Sequence, residues 1–126
     1  QRLLHNGTVS RLQSLGTVIH ARSLYLQGLL LTTAAQWPHW VNPEVRAHQQ
    51  ALESLAMQRG CGLIDFALGF ACEQTDLEAV VLGISSVREL SELLQAWTAT
   101  SRWQEGEWRT WALKDPGILD PRLWPR

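Results

Sequence analysis

Two stretches of the chain carry residue types suited to holding an anion. Ser85 and Ser86 precede an apolar-periodic run, and Ser86 followed by Glu89 makes an S-x-x-E capping box. A helix starting there presents free backbone N–H groups and the positive end of its dipole, which together favour a phosphate. Ser86 also serves as a plain N-cap, and the two readings are compatible. The other stretch runs from Arg22 through Ser23 and Tyr25 to Gly28 and Leu29, where a glycine lets the backbone approach a ligand closely. Other chemistry is sparse. His5, His20, His39 and His48 are not spaced as a site and read as surface or satisfied residues. Cys61 and Cys72 fall in no CxxC or Cys/His pattern, so no zinc site is expected. The count permits one disulfide, although Cys72 lies in an apolar helix-like segment where a reduced, buried thiol is ordinary.

The 126 residues suffice for one domain, with 45% hydrophobic and 18% charged residues as in a globular protein. A formal net charge of -1 gives no electrostatic reason to expect nucleic acid or an anionic membrane as partner. The longest apolar run, Leu24 to Leu31, is interrupted by Gln27 and Gly28 and falls far short of the roughly 20 residues of a membrane span. No secretory signal opens the chain, and reduced cysteines fit the cytoplasm. The chain begins with Gln1, which suggests processing or a piece of something longer.

The elements that must position these residues follow from periodicity. A turn at Asn6-Gly7-Thr8 leads into a short helix over 9–15, stopped by Gly16. Residues 17–24 begin with β-branched types and read as a strand. A loop with a short helical piece follows, then a second loop, 37–43, bounded by two prolines. The stripe of Val45, Leu52, Leu55 and Ala56 predicts a helix over 44–59. Residues 63–73 read as a buried helix, and 79–84 as a strand apolar on both faces, as in a covered parallel sheet. A helix over 86–97 has Leu90, Leu93, Leu94 and Trp97 as its buried stripe, and an irregular Trp-rich tail, 98–126, closes the chain. This is α/β alternation with a parallel strand pair. Two strands cannot cover so much apolar helix surface, so part of the fold, or another chain, is expected to cover the rest.

The segment Arg22-Ser23-Leu24-Tyr25-Leu26-Gln27-Gly28-Leu29-Leu30 resembles a stretch of aldo/keto reductases, usually Tyr-Ser-Pro-Leu-x-x-Gly-Leu-Leu. Further on, Gly83-Ile84-Ser85-Ser86-Val87-Arg88-Glu89-Leu90-Ser91-Glu92-Leu93 resembles the family's second cofactor segment, usually Gly-Ala-x-x-x-x-Gln-Leu-x-Glu-Asn. Leu55-Ala56-Met57-Gln58-Arg59-Gly60 and the closing Ile118 to Pro125 match the family's order, the latter in a bacterial subgroup. The resemblance implies an α/β fold: the C-terminal part of a (β/α)8 barrel, with the last two strands and their helices here and six strands upstream of Gln1. Such barrels place active sites at the C-terminal ends of strands and a phosphate site in the loops after strands seven and eight.

The function so implied is NAD(P)-dependent reduction of an aldehyde or ketone to an alcohol by hydride transfer. The family's catalytic Tyr, Lys, Asp and His map to none of these residues, so the chain carries no catalytic group of its own. It supplies part of the NADP(H) or NAD(H) site: Ser23 through its hydroxyl and Gly28 through close backbone approach at the diphosphate, Ser85 and Ser86 at the adenosine phosphate, with Leu29 and Gly83 also among the cofactor-binding residues. Five positions depart from the pattern. Arg22 replaces an aromatic that stacks on the nicotinamide, Tyr25 replaces a Leu, Ser85 takes the place of a Lys or Arg facing the 2′-phosphate, and Glu89 and Leu93 replace a Gln or Arg and an Asn near the adenine. A carboxylate beside a 2′-phosphate repels it, with Arg88 as a possible compensation, so weak NADPH binding or use of NADH is expected. Trp37 and Trp40 sit in a loop that borders the family's carbonyl-substrate pocket; the other tryptophans read first as packing of the tail. Alternatives are an inactive aldo/keto reductase-like scaffold and a stand-alone helical interaction module. In each case the exposed apolar face is expected to drive aggregation or pairing with other chains.

Overall fold

The computed structural model describes residues 6–98, 103–104 and 106–125. His5 and positions 99–102 and 105 of the expected tail lie outside them. Helix α1 covers Thr8–Ser14, strand β1 His20–Arg22, α2 Pro43–Gln58, α3 Leu63–Cys72, β2 Ala79–Val81, α4 Val87–Thr98 and the single turn α5 Pro116–Leu119. Short 3-10 turns occupy Leu29–Leu31, Ala34–Gln36, Glu107–Trp111 and Pro121–Leu123.

Local chemistry explains the boundaries. Pro43 opens α2 at a position where its missing N–H costs nothing, and the Asn42 side chain accepts from the Glu44 amide at 2.9 Å. Asp65 reaches back from the first turn of α3 to accept from the Gly62 amide at 2.7 Å. At α4, the Ser86 hydroxyl oxygen accepts from the Glu89 amide at 3.1 Å. β1 ends where Ser23 turns to φ 62°, a conformation that cannot continue a strand.

The strands pair in parallel, with His20 opposite Ala79, Ala21 opposite Val80 and Arg22 opposite Val81. The crossover between them contains α2 and α3. Burial lies elsewhere. One cluster joins Trp37, Val41 and Val45 to Ile118, with Leu26, Leu29, Leu113 and Leu119 against it. A second joins Leu52, Ala56 and Phe66, covered by Leu30, Leu55, Leu63, Trp103 and Trp111. The core is therefore helix against helix and against the C-terminal turns.

This corrects the expected fold. The chain is a small α-rich domain with two three-residue strands among the described residues, not the final pair of strand–helix units of a (β/α)8 barrel. Barrel helices bury their apolar faces on a wall of long strands. Here the β-branched run at 17–19 lies outside β1, and tryptophans of the tail cover α2 and α3. Most of the stripe expected to be buried on α4 is also exposed: Leu90 is 38% accessible, Leu94 55% and Trp97 60%, Leu93 is half-buried, and Ala96, outside the stripe, is the one buried residue described in that helix.

Candidate functional site

The parallel register places two turns at one end of the sheet. Arg22 and Val81 are paired, so residues 23–28 and 82–86 both leave the carboxyl ends of their strands. Open α/β sheets bind ligands in the crevice at that end.

The first turn has an unusual backbone. Ser23, Leu26 and Gln27 have φ of 62°, 50° and 58°, followed by Gly28 at 85°. Each non-glycine residue in this region costs about 1–2 kcal/mol. A Cβ at Gly28 would meet nothing within 4 Å, so φ, and not space inside the protein, makes this position a glycine. Arg22, Ser23 and Gly28 are exposed, while Leu29 is half-buried. The Tyr25 hydroxyl is buried and, among the described residues, has no hydrogen-bond partner. Burial raises its pKa above the ordinary value, so the phenol carries its proton at neutral pH.

What holds the segment that follows this turn, residues 30–38, is α2. Gln49 is buried on the same stripe as Val45 and Leu52, and its amide donates to the carbonyls of Leu30 at 3.3 Å and Thr32 at 3.1 Å. Arg46 donates to the Ala34 carbonyl, to Trp37 at 3.2 Å and to Pro38 at 2.8 Å. Glu53 accepts from the Ala34 amide at 2.5 Å. Sequence reading missed these three positioning residues. A signal existed for Gln49: a polar residue in the middle of an otherwise apolar helical stripe.

The second turn is already satisfied internally. The Glu89 carboxylate accepts from the Ser85 amide at 2.6 Å and from the Ser85 hydroxyl at 2.9 and 3.0 Å. These hydrogen bonds, the backbone one foremost, hold the Glu89 carboxyl below its ordinary pKa. Arg88 does not face Glu89's charge; it pairs with Glu92 at 2.8 Å. Gly83, Ser85 and Ser86 are exposed, and Leu93 is half-buried. The donors that would receive a phosphate at this helix start are thus partly engaged by the chain's own carboxylate.

The two substrate candidates part company. Trp37 is 5% exposed, and its indole N–H donates to the Leu29 carbonyl at 2.9 Å. Trp40 is 36% exposed, with its ring 5.3 Å from that of Trp124. In the tail, Trp103 lies 4.3 Å from Phe66 and donates to its carbonyl at 2.7 Å, and Trp108 meets Phe70 edge-on at 5.0 Å. Cys61 and Cys72 are not bridged to each other, and Cys72 is exposed, not buried as its apolar surroundings in sequence suggest. Among the described residues no group of three His, Cys, Asp or Glu could hold a metal, and no helix is long and apolar enough to cross a membrane.

In comparisons with known proteins, no family model matches the chain and no curated protein matches it.

Proposed function

We propose that this chain supplies part of the nicotinamide-dinucleotide site of a cytoplasmic oxidoreductase that reduces an aldehyde or ketone to an alcohol. The observation that carries the reading is the parallel register Arg22↔Val81, which sets the 23–28 and 82–86 turns side by side at the carboxyl ends of the strands. The exposed Ser23 hydroxyl and the Gly28 backbone face the diphosphate, Arg22 the nicotinamide end, and Trp40 the carbonyl substrate. The bound cofactor supplies the hydride. The proton donor and the residues that support it come from outside these 126 residues, since Tyr25 stands in the cofactor turn and none of the chain's lysine, aspartate or histidine residues occupies a matching place.

Glu89 favours NAD(H) over NADP(H). Its carboxylate lies where a 2′-phosphate needs positive charge, and a carboxylate accepts a hydrogen bond from a ribose 2′-hydroxyl. Titrating NADH and NADPH onto the chain, with tryptophan fluorescence as the readout, tests both levels. Tighter binding of NADH by about tenfold, or roughly 1.4 kcal/mol, is expected. A strong preference for NADPH sinks the assignment of cofactor, and binding of neither sinks the reading.

A second reading, a non-catalytic module that works by association, draws on the exposed α4 stripe of Val87, Leu90, Leu94 and Trp97. Large contiguous apolar patches on a protein surface mark interaction sites. Failure to bind either nucleotide, together with a stable self-associated state, would favour it.

A further inference from the structure

The turn after β1 carries two unfavourable features within six residues. Ser23, Leu26 and Gln27 hold left-handed backbone conformations, which leucine and glutamine enter only under constraint. Between them, the Tyr25 hydroxyl is buried without a hydrogen-bond partner among the described residues, although buried polar groups in native proteins are almost always paired. The two observations are independent, one of backbone and one of side chain.

The constraint comes from one end of the segment. Leu26 and Leu29 are packed on the Trp37–Val41–Val45–Ile118 cluster. The Leu29 carbonyl accepts from Trp37, and the Leu30 and Thr32 carbonyls accept from Gln49. Within the turn, the Leu26 amide donates to the Ser23 carbonyl and the Leu30 amide to the Tyr25 carbonyl, each at 3.2 Å. The other end, at Ser23, and the tip at Gln27 and Gly28 are exposed. A firmly held end and an exposed, strained tip describe an element with a second arrangement available to it.

We propose that residues 23–28 form a two-state turn and that a dinucleotide selects a second arrangement, in which the Tyr25 hydroxyl donates to a diphosphate oxygen. This rests on the dinucleotide reading above and adds to it a side chain and a conformational step. A ligand shifts such an equilibrium only through a differential interaction. Tyr25 supplies one: its hydroxyl has no acceptor among the described residues in the first arrangement and an anionic acceptor in the second.

The test uses Tyr25→Phe and Gln27→Gly in the full chain, with thermal melting in the absence of ligand and calorimetric titration of NADH and of ADP. Tyr25→Phe removes an unsatisfied hydroxyl, so it melts higher than wild type. It also binds both nucleotides about tenfold more weakly, as the loss of one hydrogen bond to a charged group implies. Gln27→Gly relieves the strained backbone of the first arrangement, so it weakens nucleotide binding while leaving the hydroxyl in place. If wild type binds NADH but Tyr25→Phe binds it equally well, or melts no higher, this proposal falls and the dinucleotide reading stands. If wild type binds neither nucleotide, the reading falls and takes the proposal with it.

Discussion

The two sides of this molecule treat their side chains differently. On the α2–α3 side, Phe66 is 1% exposed and stacked on Trp103, and the buried Gln49 amide is satisfied by two carbonyls. Arg59 and Glu107 form a two-pronged ion pair at 2.8 and 2.7 Å that fastens the tail to the end of α2. On the sheet and α4 side, Val81, Ile84, Val87, Leu94 and Trp97 are exposed, and the sheet is two strands wide. Parallel sheets are ordinarily covered on both faces. The first side therefore buries its apolar face within the chain, and the second presents surface that the described residues do not cover. The candidate site lies at the boundary between them, with its first turn tied to α2 and its second turn at the start of the uncovered helix.

Substitutions on the two sides should differ accordingly, and the largest effect belongs to Phe66. Phe66→Ala should cost about 3–5 kcal/mol, as truncations of buried aromatics do, read by denaturant unfolding. A loss under about 1 kcal/mol would mean that the Phe66–Trp103 cluster does not carry the fold. Gln49→Ala comes next. It strips the donors from two part-buried carbonyls, and about 1 kcal/mol is expected, together with weaker nucleotide binding, because the 29–32 segment loses its anchor. Stability lost with no change in binding would separate the turn from α2.

The Arg59–Glu107 pair gives a pH signature. The Arg59 guanidinium hydrogen bond holds the Glu107 carboxyl below its ordinary pKa, with the Gln104 amide assisting. Since the folded pKa is the lower one, this contribution is complete above the unfolded value of about 4.3 and fades as the pH falls through the folded one. Wild type should therefore lose melting temperature between neutral pH and acid more steeply than Glu107→Gln. Parallel curves would show that the tail is held by its tryptophans alone. The smallest stability effect is expected for Leu94→Ser on the uncovered face, within about 0.5 kcal/mol. Its readout is association: sedimentation should show less self-association or aggregation than wild type. An equally associated variant would place the sticky surface elsewhere.

Much of the local structure was legible in residue types and spacing. Asn42-Pro43 and the Val45–Leu52–Ala56 stripe mark a helix that occupies Pro43–Gln58, and Ser86 with Glu89 marks the start of one at Val87. These are short-range effects, set by caps and periodicity within a few residues. The candidate turns were legible as residues but not as geometry. The capping-box pattern does not reveal that Glu89 would settle on Ser85, nor does any pattern place the Tyr25 hydroxyl out of reach of an acceptor among the described residues.

What only the tertiary structure decided is where the apolar surface goes. An amphipathic stripe states that a helix has a face to bury, and the stripes of α2 and α4 read alike. Phe66, Trp103 and Trp111 cover part of the first, while Leu94 and Trp97 of the second remain exposed. Hydrophobic burial is non-directional, so residue types alone do not choose between a wall of strands and a Trp-rich tail as the covering layer. That choice rests on contacts between residues far apart in the chain, such as Phe66 with Trp103 and His48 with Trp111. It is why a sequence that reads as strand–helix units folds as a helical domain with a small parallel strand pair at its edge.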